Sequence, residues 1–511
     1  MPGKIDRVVL GERIDLNQFV AVARRGAVVE FSDEYGDRVR RSRNFVEKWI
    51  DEGQVIYGTT TGFGNLCDQI ISPAETQALQ MNLIRADAAS VGKPLAEEQV
   101  RAIMLMMLQN TGQGYSGIRL EVLELLKEFL NRGLHPFVPR EGSVGYLTIE
   151  ANIALVIFGE GRAYFGGQLL EAAEALKLAG LEPIPLMSKE GLALLDGTTS
   201  ATALGLLALH DMRQAARSAD IIAAMTLESL QGQIRHFDQR VSEVRPHPTQ
   251  AGTADNVRRI LADSEIIEKA QGLRLQDALS LRCVPQLHGA ARKLLDDALV
   301  TFEIELNSCT DNPIIWTDGT RAEAISACNS DSSFVGMAID SCCIAATGLA
   351  KMSERRNNRL IDGSLSGHPW FLVKDPGLNC GLMVPHYSQA GLLNDMKILS
   401  HPATVDSIPT CGNQEDYVGM GYNAAKKAAQ VAEKLEYVLA IELLSAFETK
   451  PFLPESQRRS RATARLEEVI GEEVPVMEHD VYLYPHITRL RELIHSGRLI
   501  ELVELEIGEL R

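Results

Sequence analysis

Long unbroken apolar runs are missing from this chain of 511 residues. Runs such as Ala154 to Phe158 fall far short of the ~20 residues that span a bilayer. The first residues, Met1-Pro2-Gly3-Lys4, hold no apolar signal core, so neither a secretory leader nor a membrane partner is expected. Paired cysteines are also missing. Cys67, Cys283, Cys309, Cys328, Cys342, Cys343, Cys380 and Cys411 are scattered, with no CxxC pair and no Cys/His zinc spacing. This excludes a disulfide framework or a structural zinc and points to a reduced, cytoplasmic setting. Several of these cysteines lie in apolar helical stretches and read as small core residues. Basic charge is in deficit. A net charge of -17 and a pI near 5.2 exclude the clustered cations that nucleic-acid binding needs. GxxxxGK[ST], GxSxG and HExxH are absent. His247, between Pro246 and Pro248, has no second ligand at metal spacing, so no metal is expected.

What the chain does have is helical periodicity. Thr198 to Gly232, Leu275 to Asn307 (kinked at Pro285), Phe334 to Leu360 and Tyr422 to Ala446 each read as one long helix. Sustained a/d heptads are not present, which excludes a coiled-coil rod and leaves a bundle. Stretches such as Gly336-Met337-Ala338-Ile339 are apolar or small on several faces, so burial against further copies of the chain is expected. The fold class is therefore mainly α: a long-helix bundle with a smaller N-terminal part containing loops. Three segments are expected: residues 1–195 with a mobile loop at Tyr57, 196–450 as the central bundle, and 451–511 as a charged helical cap. Gly- and Ser-rich loops fall at Thr59 to Asn65, Ser143 to Tyr146 and Asp362 to Pro369.

Seven blocks occur in a distinctive order: Tyr57-Gly58-Thr59-Thr60-Thr61-Gly62-Phe63-Gly64, Gly142-Ser143-Val144-Gly145, Glu190 to Thr198, Ser280-Leu281-Arg282-Cys283-Val284-Pro285-Gln286, Thr310-Asp311-Asn312-Pro313, Ser400-His401-Pro402 and Asn413-Gln414-Glu415-Asp416. Their order and spacing, over about residues 10 to 460, resemble the histidine and aromatic amino acid ammonia-lyase superfamily. The resemblance implies the superfamily's long-helix bundle, a small-molecule substrate and a homotetramer with shared active sites. It also implies roles. Tyr57 matches the base that removes a β-proton, and neighbouring cations are expected to lower its pKa. Arg282 matches the guanidinium that grips the substrate carboxylate, a task suited to its planar fork. Gln276 lies near that carboxylate. Glu415, with Gln414 beside it, faces an imidazole ring, whose N–H a carboxylate accepts. His386 and Tyr387 stand where the superfamily has other residues, and are candidates either for the pocket lining or for packing.

The departures from the pattern carry as much information. In that superfamily an Ala-Ser-Gly tripeptide follows GSVG and cyclises into methylideneimidazolone, an electrophile that captures the substrate amine. Here Gly145 is followed by Tyr146, and the flanks align only with those three positions absent. Asp87 stands where a ring-reading His is usual, Asp196 where an Asn holds the electrophile and the amine, and Leu279 where a Tyr assists ammonia release. Ala327-Cys328-Asn329-Ser330-Asp331 lacks the usual aromatic and His. A quaternary ammonium needs no electrophile, because it departs as a neutral amine, and Asp196 offers it a carboxylate. The expectation is thus the ergothionase branch: elimination of trimethylamine from ergothioneine to give thiolurocanate, with no cofactor. Two alternatives stay open. One is a methylideneimidazolone-dependent ammonia-lyase on histidine or a related amino acid. The other is an inactive homologue that binds an imidazole metabolite.

Overall fold

In the computed structural model the described residues are 5–72 and 74–511. The chain is mainly helical, and its four longest helices are Thr199–Ser229, Val284–Glu305, Ser333–Ile361 and Gly421–Glu448. Three of the four expected spans agree with these to within a few residues. The fourth differs. Leu275 to Asn307 is not one kinked helix: a single turn, Leu279–Arg282, ends at Cys283, and a new helix runs over Val284–Glu305. Pro285 therefore opens a helix instead of bending one. A proline ring costs nothing in a first turn, where its missing N–H has no intrahelical partner anyway.

The long helices are packed through small residues. Thr199–Ser229 is buried along almost its whole length, with Ala201, Ala203, Ala208, Ala215, Ala216 and Ala219 inside. A methyl group added at Gly205 would meet the Phe302 ring at 2.4 Å, so the ring lies directly on the backbone of this helix. Two stretches, Glu190–Ser229 and Ser333–Ile361, are long and apolar enough to cross a membrane, each at mean hydropathy 1.5. Unbroken apolar runs do not reveal them, because Ser, Thr and Gly interrupt the pattern. The apolar window of the first is wholly buried inside the chain's own fold, as a core helix is.

Contacts divide the chain into two units. The first comprises Met1–Leu207, Leu299–Ile339 and Pro402–Lys426. Its centre is helix Glu97–Thr111, buried at every residue from Val100 to Thr111. Around it lie short helices and two- or three-stranded sheets, including the parallel pair Arg7–Leu10 with Val28–Phe31. The second unit comprises Ala208–Ala298, Asp340–His401 and Lys427–Arg511. Its interior holds a bidentate ion pair, Arg356 Nε to Glu442 Oε1 at 2.6 Å and Nη2 to Oε2 at 2.8 Å, with both side chains fully buried. Thr226 Oγ1 donates to the same carboxylate at 2.8 Å. The tail is helical, as Arg461–Glu473, Tyr484–His495 and Arg498–Ile507. Cys342 and Cys343 are buried within Ser333–Ile361, and all eight cysteines are free.

Candidate active site

Tyr57 sits at the base of a turn that threonine hydroxyls hold closed. The Gly58 N–H donates to Thr61 Oγ1 at 3.0 Å, and Thr60 Oγ1 donates to the Gln54 carbonyl at 2.9 Å. Gln80, from helix Thr76–Asp87, ties the turn to its neighbours: its Nε2 donates to Gly58 O at 3.1 Å, and its Oε1 accepts from Leu192 N at 3.2 Å. Gly58 has φ +62, and a Cβ there would meet Leu192 Cδ2 at 2.5 Å. Only glycine satisfies both conditions. The Tyr57 oxygen accepts the Gly64 N–H at 3.0 Å.

Asp87 is the last residue of helix Thr76–Asp87. Glu415 follows a sharp turn in which Cys411, Gly412 and Asn413 all have positive φ. Thr410 fixes it, with Oγ1 donating to Glu415 Oε2 at 2.6 Å. Asp196 caps the C-terminus of helix Glu190–Leu195 and is 6% exposed. Its Oδ1 accepts the Gly197 N–H at 3.1 Å. Behind it Lys189 is paired with Asp311 at 2.9 Å, both fully buried. Gly197, at φ +128, has no room for a Cβ, which would meet Thr310 Oγ1 at 2.7 Å.

These groups act on one another. Burial, followed by the Glu415 charge, pushes Asp87 up to about 6. Burial, followed by Asp311, pushes Asp196 up to about 7 against the opposing charge of Lys189 and a hydrogen bond from Ser330. Tyr57 also moves up: burial and the Asp196 carboxylate outweigh the Gly64 N–H. This corrects the expectation that cations lower its pKa. A raised value follows when the closest charged neighbour in the fold is a carboxyl.

A residue that sequence reasoning did not place in the site completes the cluster. Tyr146 lies on the turn between Gly142 and Leu147, with its phenol facing Glu415, Asp196 and Cys328. Ser143 Oγ organises the turn by accepting the Gly145 N–H at 3.2 Å and donating to Tyr146 O at 3.3 Å. The next residue, Leu147, has φ 72 and ψ -68. That conformation is rare for a side-chain-bearing residue and costs of order 1–3 kcal/mol. The only signal for Tyr146 in the sequence is its position directly after GSVG.

Tyr57, Asp87, Tyr146, Asp196 and Glu415 are thus brought together by the first unit, with Ser330 and Cys328 beside them. The cluster can accept ring or ammonium N–H groups, and two of its carboxyls exchange protons near neutrality. Arg282 belongs to the second unit. It ends the one-turn helix Leu279–Arg282 and is half-buried, not sunk in a long helix as expected. With the Gln276 amide oxygen turned toward it, Nη1, Nη2 and Nε lie at 2.7, 3.0 and 3.2 Å from that oxygen. Gln414 is exposed, and Leu279 is 60% exposed. In the second unit Tyr387 is 66% exposed. His386 Nε2 lies 2.7 Å from Glu354. Against the upward push of burial, hydrogen bonds from His386 and Arg355 hold Glu354 down at about 2.

A profile of the family described as aromatic amino acid lyase matches residues 14–472. A histidine ammonia-lyase of Symbiobacterium thermophilum is 43% identical over 509 residues, covering 99% of this chain and 100% of that protein. Among solved structures, histidine ammonia-lyase from Trypanosoma cruzi superposes with a TM-score of 0.91 at 34% identity, covering 98% of this chain and 95% of that one. The ergothioneine-degrading ergothionase of Treponema denticola superposes with a TM-score of 0.89 at 25% identity, covering 97% and 100%. The expected assignment to trimethylamine elimination from ergothioneine is thereby overturned. The relatives of high identity carry the name histidine ammonia-lyase, while ergothionase is a distant structural neighbour. What suggested it was an absent tripeptide and a handful of substituted pocket residues, against similarity over nearly the whole chain. The chain is a carbon–nitrogen lyase, and it belongs to the aromatic amino acid lyase family.

Proposed function

We propose that the protein eliminates the α-amine of histidine or a closely related imidazole amino acid, leaving the conjugated acrylate. The observation that carries this is Glu415, anchored by Thr410 and facing Asp87 and Tyr146, a polar seat for a ring that bears N–H groups. The names of the relatives at about 40% identity favour the same chemistry.

The roles are assigned from the family resemblance. Glu415, with Asp87 and Gln414 near it, receives the imidazole. Asp196 faces the ammonium. Arg282, steadied by Gln276, holds the carboxylate, and His386 and Tyr387 contribute to the pocket wall. Tyr57, as phenolate, takes the β-proton. The electron pair of that C–H bond becomes the new C=C bond, and the pair of the C–N bond leaves with nitrogen as ammonia. The raised pKa of Tyr57 makes its phenolate scarce but strongly basic, and the Gly64 N–H stabilises it.

The residues present do not fit the methylideneimidazolone that the family resemblance implies. Gly145 leads directly into Tyr146, Ser143 Oγ is engaged by Gly145 N, and a carboxyl stands at 196. No step is routed through that group.

Segment 1–195 would then carry the Tyr57 loop, 196–450 the helices around Arg282, and 451–511 a peripheral cap. A cytoplasmic homotetramer with shared active sites is part of the same proposal. Supporting it, Phe334, Met337 and Ile344 are exposed on helix Ser333–Ile361 at 77%, 56% and 52%. Apolar side chains this exposed on one helix favour association.

Incubation with L-histidine, following ultraviolet absorbance of the acrylate and release of ammonia, tests the proposal. Absence of both products from histidine and its ring-modified analogues overturns it.

A further inference from the structure

We propose that the turn from Thr410 to Glu415 is the backstop of the Tyr57 loop, with Cys411 as its positioning residue: the Cys411 sulfur, seated on Gly64, keeps the Gly64 N–H on the Tyr57 oxygen. The inference rests on the lyase reading in taking Tyr57 as the base, and it adds the residue that holds that base in register with Glu415.

Three observations carry it. First, the donor to Tyr57 is a backbone group with no other use. Gly64 opens the short 3₁₀ turn Gly64–Leu66, and an N–H at the start of such a turn has no partner within it. It donates to the Tyr57 oxygen at 3.0 Å. The turn's own bonds, Leu66 N to Phe63 O at 2.8 Å and Cys67 N to Gly64 O at 3.2 Å, do not fix that N–H. Something outside the turn has to hold Gly64 in place.

Second, what lies against Gly64 is Cys411. A Cβ added at Gly64 would overlap the Cys411 sulfur and lie 3.9 Å from its Cβ. The sulfur therefore fills the space that a side chain at 64 would take. The fit is reciprocal, since a Cβ at Gly412 would meet Asn65 Nδ2 at 3.5 Å. Each turn receives a side chain of the other on a glycine. Those glycines have φ +52 and +61, a backbone that glycine adopts freely.

Third, the turn that presents Cys411 also presents Glu415, and it is closed at both ends. Thr410 N donates to Glu415 O at 2.9 Å, and Thr410 Oγ1 donates to Glu415 Oε2 at 2.6 Å. Inside it, Asn413 N donates to Thr410 O at 2.9 Å and Gln414 N to Cys411 O at 3.2 Å. Cys411 has φ 51, a conformation that a residue with a side chain keeps only where its surroundings enforce it. One stiff turn thus sets the ring-binding carboxylate directly and the phenol through Cys411 and Gly64.

Cys411→Gly in the full-length protein tests this. Glycine suits φ 51 better than cysteine, so the turn keeps its shape while the sulfur is lost. The first readout needs no turnover: amide hydrogen exchange followed on peptides covering Tyr57 to Cys67. The Gly64 N–H is expected to exchange about tenfold faster than in the wild type, with protection elsewhere unchanged. The second uses L-histidine as substrate. Here kcat is expected to fall about 10- to 100-fold at unchanged KM, the pattern of a displaced base beside an intact binding site. Cys411→Ser keeps an atom in the place of the sulfur and is expected to restore most of both. Cys411→Ala, with the outcome expected of glycine, is the second variant should Cys411→Gly fold poorly. Unchanged exchange at Gly64 in the glycine and alanine variants overturns the proposal. A rise in KM at constant kcat does so too, because it places the effect at Glu415. A wild type that releases no product from histidine brings down the lyase reading, while the exchange result still decides the role of Cys411.

Discussion

Gly64 donates its backbone N–H to the phenol oxygen of Tyr57 at 3.0 Å, across the turn that both residues delimit. This bond is the principal influence that lowers the pKa of Tyr57, while burial and Asp196 raise it. The outcome is a phenol whose charged form is disfavoured in the resting protein yet has one donor prepared for it.

Removing that oxygen isolates its role. Tyr57→Phe is expected to lower kcat about 10²–10⁴-fold, the usual range for a general base, with little change in imidazole affinity. Because the folded pKa lies above the ordinary value, kcat/KM of the wild type should still be rising as pH passes ~10. Steady-state kinetics over pH check both; an alkaline plateau well below that value would remove Tyr57 as the base.

Asp196 gives a stability prediction with a definite sign. Its folded pKa of about 7 lies above that of an unfolded aspartate, so the folded protein binds the extra proton. Stability contributed by this residue therefore falls as pH rises from ~4 toward 7. Asp196→Asn should raise the melting temperature at pH 8 by about one to a few degrees and make no difference near pH 4. The same variant should raise KM, since the ammonium loses its carboxylate.

The turn below Tyr57 predicts a clash that can be separated from strain. Gly58→Ala places a methyl group 2.5 Å from Leu192 Cδ2 and forces φ +62 on an alanine. Destabilisation of about 1–3 kcal/mol is expected, together with a fall in kcat as Tyr57 moves. Adding Leu192→Ala removes the steric part only. Denaturant titration of the single and double variants should show the second change partly rescuing the first. Equal additive losses would mean that backbone strain alone governs the site.

Helix Ser333–Ile361 carries the test of assembly. Phe334→Glu with Met337→Glu puts two charges on its exposed apolar face. The pair should shift the mass seen by light scattering from a tetramer toward smaller species. A monomeric wild type would defeat the assembly proposal outright.

Much of the fold was legible because the long helices carry their own signal. Thr199–Ser229, Ser333–Ile361 and Gly421–Glu448 are apolar or small over many turns, and periodicity alone locates them. The break at Cys283 was not legible. A proline is compatible with both a kink and a new first turn, and only packing selects between them. Tyr57, Asp87, Asp196 and Glu415 could each be singled out from their motifs, since residue type and neighbours suggest chemistry. Their mutual influence could not, because it joins positions from 57 to 415 and depends on burial. The upward shift of Tyr57 is the clearest case. Burial raises it first and the Asp196 carboxylate adds to that, and nothing near it in the chain says how deeply it is buried or which neighbour it meets. The substrate reading erred for a related reason, since an absent tripeptide and a few substituted pocket residues were weighed above similarity that extends through the whole length.

The sequence by itself determined a helical lyase framework and the identity of the acids and phenols available to it, because periodicity and residue chemistry are local properties. Only the tertiary structure decided that Tyr146 joins them and that Asp87 and Asp196 titrate near neutrality. Desolvation and charge proximity are created when distant segments close over one another, and no stretch of chain contains them beforehand.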